Sequence, residues 1–146
     1  MKKPRRFVPI LAVAALLTAG CGKTEAPPPN TPAFLMDGNT IVVIVTYDEV
    51  TKKAEMSQQD KALKIKKGVH TVQWLSPAGI VTVSNWVNVA SGTSESPWLN
   101  EPKHEKKILK SGHAKTKGSF EYKAWLELCS NPGNLIQIDP RIEVMD

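Results

Sequence analysis

Long apolar runs, catalytic motifs and close-set metal ligands are all missing from this 146-residue chain, and each absence removes a class of protein. Beyond the first twenty residues no stretch reaches eighteen consecutive apolar residues, so the body of the chain is expected to lack a membrane helix and to be soluble. There is no glycine-rich phosphate loop, no paired-histidine motif of a hydrolytic metal site and no Gly-x-Ser-x-Gly elbow. Without them no catalytic constellation emerges, and a non-enzymatic protein is expected. The histidines, His70, His104 and His113, lack close ligand spacing, so they are read as solvent-facing residues among lysines, with no metal or other cofactor expected. Internal repeats and convincing helical periodicity are also absent.

What is present begins at the N-terminus, where Lys2, Lys3, Arg5 and Arg6 precede an apolar run that closes on Leu16-Leu17-Thr18-Ala19-Gly20-Cys21. A basic start, an apolar stretch too short to span a bilayer comfortably and small residues at its end make residues 1–20 a secretory signal. Because a cysteine follows the small pair Ala19 and Gly20, the segment resembles the bacterial lipoprotein signal. The resemblance implies that the Cys21 thiol is alkylated by a diacylglycerol, the chain is cut before it, and the freed amine is acylated by a chain such as palmitate. Three acyl chains anchor almost irreversibly, since each buried methylene contributes about 0.8 kcal/mol. Gly22 stands where lipoproteins kept at the inner membrane often carry aspartate, so the implied location is the outer membrane, facing the periplasm. A plain secretory signal with an incidental cysteine is the alternative.

Removal of the signal changes the charge. The chain carries nineteen Lys and Arg against fourteen Asp and Glu, net +5, and a sequence pI near 9.3. Nineteen less the signal's four leaves fifteen, and the mature balance falls to +1. Nucleic acid is therefore not an expected partner. Cysteine counting is as simple: with Cys21 carrying lipid, only Cys129 remains, and no intramolecular disulfide is expected.

Residues 21–33 hold Pro27, Pro28, Pro29 and Pro32 among small and polar residues, the composition of an extended tether. At about 3 Å per residue it reaches some 30 Å from the headgroups. The folded domain is then residues 34–146, the size of a single sandwich domain.

Within that domain the apolar period is two. Phe120, Tyr122, Ala124, Leu126 and Leu128 alternate with Glu121, Lys123 and Glu127, and Asn131-Pro132-Gly133 supplies a turn. Ile136, Ile138, Ile142 and Val144 continue the pattern and complete a terminal hairpin. Leu63 and Ile65, then Val72 and Trp74, mark two more strands around Gly68. Ile41 to Tyr47 is a β-branched run suited to a buried strand, and Val81, Val83, Val87 and Val89 share one parity of a longer strand interrupted by Asn85. About seven strands and no helix predict an all-β protein, an antiparallel two-sheet Greek-key sandwich.

The segment Ala62-Leu63-Lys64-Ile65-Lys66-Lys67-Gly68-Val69-His70-Thr71-Val72-Gln73-Trp74 resembles the strand-turn-strand unit of cupredoxin-like sandwiches, and immunoglobulin-like sandwiches use similar patterns. Phe120-Glu121-Tyr122, Cys129 and the closing strands follow in the same order. A type 1 copper site needs two histidines and a cysteine, yet 76–90 contains no histidine and Cys129 has none close after it. The resemblance thus implies the scaffold without the copper.

Two surface features remain. Residues 103–117 carry Lys103, Lys106, Lys107, Lys110, Lys115 and Lys117 against Glu105 alone, a segment suited to anionic headgroups or an acidic polymer, or to a solvated edge strand. Trp125 lies on the polar parity of its strand, and Trp98 sits in a Pro97-Trp98-Leu99 loop that either covers it or joins it in a binding patch. The candidate contact residues are Trp98, Trp125, Lys106, Lys107 and Lys110. The expected function is a lipid-anchored cell-envelope binding or accessory module, whose partner is an envelope protein or an anionic polymer. A periplasmic copper-binding or electron-transfer cupredoxin-like protein is the alternative.

Overall fold

A computed structural model describes residues 34–36, 38–57 and 62–146. The expected signal, Cys21 and the tether lie outside the described residues. Every regular element among the described residues is a strand, and no helix is long and apolar enough to cross a membrane. In chain order they are β1 (Phe34–Met36), β2 (Thr40–Asp48), β3 (Lys53–Met56), β4 (Leu63–Lys66), β5 (Thr71–Leu75), β6 (Gly79–Asn88), β7 (Lys103–Glu105), β8 (Ile108–Lys110), β9 (Gly118–Leu128), β10 (Leu135–Ile138) and β11 (Arg141–Met145). The strands beyond the expected seven are mostly of three or four residues, too short for a period of two to announce itself.

One sheet runs β1-β2-β5-β8-β7 with β3 also on β2; the other runs β10-β9-β11-β4 with β6 also on β9. Both are mixed, which corrects the antiparallel expectation. β2 and β5 pair in parallel, as do β4 and β11, while the other pairings are antiparallel. The cause is the path: after β3 the chain leaves the first sheet for β4 of the second, and returns at β5 running the same way as β2. Alternation in sequence fixes a buried face but carries no information about a neighbour's direction.

The two sheets share one core, the mark of a sandwich-like arrangement. The first sheet supplies Ile41, Val43, Val45, Val72 and Trp74, and the second supplies Leu63, Ile65, Phe120, Tyr122, Leu126 and Ile142, all buried. β9 follows its alternation throughout: Phe120 to Leu128 on one parity are buried, while Glu121 and Glu127 are exposed. β10 and β11 pair with successive halves of β9 on either side of Pro140, whose carbonyl accepts the Tyr122 N–H at 3.2 Å. The expected terminal hairpin is thus present, broken in the middle by a residue that donates nothing to a ladder.

β6 departs from its expected parity at Asn85. There φ is +54° and the register with β9 shifts between Ser84 and Val87, a bulge that turns Trp86 into the core. Val89 is consequently exposed.

The sandwich has two ends. At one, the Thr71 N–H donates to the Asn39 carbonyl, Gly68 to Ala114, and Lys67 to Met145, which collects the β1–β2 turn, the β4–β5 turn, the 111–117 loop and the chain's last residues. At the other lie the β2–β3 turn after Asp48, the β5–β6 connection and the β9–β10 turn, where the Cys129 N–H donates to the Ala78 carbonyl at 3.0 Å.

Candidate functional site

Trp125 occupies the outer face of the five-stranded sheet because it falls on the odd parity of β9, opposite to Ala124 and Leu126. Its cross-strand neighbours are Thr82 on β6 and Gln137 on β10, and it is half-buried. In the next row Glu127 separates the half-buried Ile80 from Leu135, which is 55% exposed. An indole flanked by Thr82 and Gln137, with Ile80 and Leu135 on the diagonals in the next row, has the make-up of a contact surface.

Trp98 does not join it. Its side chain is 1% exposed and lies between the sheets, edge-on to Trp74 (6.0 Å, 88°) and to Trp86 (5.9 Å, 82°). Trp86 in turn stacks on Tyr122 at 4.3 Å. The structure therefore separates the two tryptophans that were candidates for one patch, and places Trp98 where it neither covers Trp125 nor meets solvent. Pro97, also buried, and the isolated bridge from Trp98 to Ala114 hold the loop inward.

Around Trp98 is a network not legible in sequence. The Trp74 Nε1–H donates to the Tyr122 hydroxyl at 3.1 Å, and that hydroxyl donates to the Met56 sulfur at 3.7 Å. Burial raises the Tyr122 pKa well above the phenol range, the Trp74 hydrogen bond opposing it only in part. The indole N–H groups of Trp86 and Trp98 are buried without a hydrogen-bond acceptor. The Asn85 interruption was the one available signal for Trp86.

No protein-family model and no curated protein matches this chain.

The lysine segment is split by the fold. β7 and β8 form a hairpin on the edge of the six-stranded sheet, with Leu109 opposite Trp74 and Lys110 opposite Gln73. Its tip, Lys106 and Lys107, therefore points to the end that holds Cys129. Lys115 and Lys117 lie at the opposite end. Lys110 is engaged with Glu105 at 2.8 Å, which holds the Glu105 carboxyl below its ordinary range.

The histidines are dispersed. His70 Nδ1 accepts the Lys66 N–H at 3.1 Å, His104 Nε2 donates to the Val81 carbonyl at 2.8 Å, and His113 is exposed on the loop beyond β8. The His104 bond closes part of the β6 edge and ties the two sheets together on that side. Among the described residues no group of three or more His, Cys, Asp or Glu is arranged to hold a metal ion.

Cys129 follows the last residue of β9 and is half-buried. It is disulfide-bonded, and its partner lies outside the described residues.

Proposed function

We propose that this protein is a non-catalytic binding module of the bacterial cell envelope, held on the outer membrane by acyl chains on Cys21 and facing the periplasm. The observation that carries the binding reading is Trp125: a half-buried aromatic side chain on the outer face of a sheet, with Leu135 exposed in the next row. Leaving such groups in water costs stability that a partner recovers. The ligand class is an envelope protein that covers the Trp125 face. Two sheets around one core support a sandwich, which we read as a Greek-key one of the cupredoxin-like or immunoglobulin-like kind. Recovery of partners from envelope extracts, compared between the wild type and Trp125→Ala, tests the reading. Loss of a specific partner with Trp125→Ala is expected; equal recovery removes the tryptophan face from the function.

The disulfide at Cys129 favours a second reading. Cys21 is the chain's only other cysteine, and one sulfur cannot hold both a diacylglycerol thioether and a disulfide. If the signal is an ordinary secretory one, cut at the same place, Cys21 keeps its thiol and is available to Cys129, and the protein is released rather than anchored. The intact mass of the processed chain separates the two.

A further inference from the structure

Cys129 and Trp125 share one face of the five-stranded sheet. The Cys129 N–H donates to the Ala78 carbonyl at 3.0 Å, which carries the β6–β9 ladder one pair beyond Gly79 and Leu128. The alternation of β9 therefore sets Cys129 on the outer side with Glu127 and Trp125, about 13 Å from the indole-bearing residue along the strand. Cys129 is disulfide-bonded, and Cys21 is the only other cysteine. In the released form, where the two are bonded to each other, residues 22–33 begin on the Trp125 face.

Where that segment must end is fixed by the first sheet. Phe34 is opposite Val42 and Met36 opposite Thr40, so the chain enters β1 travelling away from the end that holds Asp48 and Cys129. Asn39 gives its carbonyl to Thr71 of β5, whereas Ile44, on the other parity, bonds Ser57 just past β3 through both its N–H and its carbonyl. β3 thus lies on the β1 side of β2, and it packs against β10. The entry at Phe34 is reached from Trp125 around the β10 edge. From Cys129 the route is about 20 Å back along the strands, the six residues from Asp48 to Val42, and about 10 Å across the sandwich. Twelve residues lie between Cys21 and Phe34 and span at most about 40 Å. A segment of that length is held near the β10 side of the sheet, where Trp125 and the exposed Leu135 lie.

We propose that residues 22–33 are the occupant of the Trp125 face, an inference that rests on the released, disulfide-bonded reading. Pro27, Pro28 and Pro29 lie against the indole and Leu135, and the bond at Cys129 fastens the strap. Its chemistry suits the face. A proline run is extended before it docks, so it loses little freedom there, and an aromatic surface is what such runs take. Lys23 stands two residues past Cys21 and Glu127, exposed, two before Cys129, which sets opposite charges at one level. At about 3 Å per residue the chain draws level with Trp125 close to where its prolines begin. In this form the chain itself fills the face that the anchored reading leaves to an envelope protein.

The test is hydroxyl-radical footprinting of the full processed protein, read by peptide mass spectrometry, before and after reduction and alkylation of both thiols. A non-reducing peptide map of the same sample identifies the bond. Reduction is expected to raise modification of Trp125 and Leu135 several-fold, with Val50 and Val69 at the two ends unchanged and the buried Trp98 protected throughout. The triple variant Pro27→Gly, Pro28→Gly and Pro29→Gly shows part of that rise with the bond intact. If Trp98 is also modified after reduction, the domain has opened, and the glycine variant alone decides. A mapped Cys21–Cys129 bond with Trp125 unchanged in both arms overturns the strap and spares the bonded reading. A rise on reduction without one in the glycine variant overturns the contact by the prolines. A map without the Cys21–Cys129 peptide overturns both the strap and the reading beneath it.

Discussion

Trp98 and Trp125 are the same residue type in opposite circumstances, and their substitution by alanine separates structure from surface. Trp98→Ala empties a site walled by Trp74 and Trp86, and a loss of about 3 to 5 kcal/mol in urea unfolding is expected. Trp125→Ala removes a half-buried side chain from an open sheet face, with a loss of about 1 kcal/mol or less. Tyr122 adds a pH dependence. Its folded pKa is raised by burial, so the native state keeps its proton where the unfolded chain has lost it. Stability is full below about pH 10, the unfolded value, and falls as pH rises above it, by up to about 1.4 kcal/mol per pH unit. Tyr122→Phe lowers stability near neutrality by about 1 to 2 kcal/mol, because the Trp74 N–H loses its acceptor, but flattens the alkaline decline. Unfolding free energies of both proteins measured across pH 8 to about 11 check the sign: parallel curves would show that another group sets the slope.

At the scale of elements, β6 turns on one residue. The bulge needs a left-handed φ at Asn85, which a β-branched side chain adopts only with strain. Asn85→Val is therefore expected to cost about 2 kcal/mol or more, through that strain and the displaced Trp86, whereas Asn85→Gly stays within about 1 kcal/mol of the wild type. Equal losses for the two variants in thermal unfolding would mean that the Asn85 side chain, not the backbone, holds the bulge. The same element marks the boundary of what was readable. Strands with an uninterrupted period of two, such as β9 and the β4 and β5 pair, show their buried faces in sequence, since each residue's burial depends only on its own parity. β6 does not, because one bulged residue reverses the parity of everything after it. β7 and β8, three residues each, carry no period at all, and the lysines there read as one cluster although the β8 pairing sends Lys106 and Lys115 to opposite ends. The aromatic network was illegible for a related reason: Trp74, Trp98 and Tyr122 are brought together by sheet packing from positions far apart in the chain, and Trp98 sits in a loop whose inward turn no local pattern foretold.

At the scale of the whole molecule, the proposed residence turns on one sulfur. Cys21 and Cys129 are the only cysteines, and Cys129 is disulfide-bonded, so acylation of Cys21 requires that bond to be made with another chain. In the anchored form the intact mass carries three acyl chains, and a reductant leaves the unfolding midpoint of the folded domain unchanged. In a released form with a Cys21–Cys129 bond, reduction opens a loop of more than a hundred residues and lowers stability by about 4 to 5 kcal/mol in the chain-entropy account. The anchored outcome is the one the proposed function requires. Cys21→Ser then moves the protein from the membrane to the soluble envelope fraction without altering its stability, while Cys129→Ser leaves it on the membrane. If Cys129→Ser instead destabilises the protein as reduction would, and Cys21→Ser does the same, the two sulfurs are bonded to each other and the anchor is ruled out by its own chemistry.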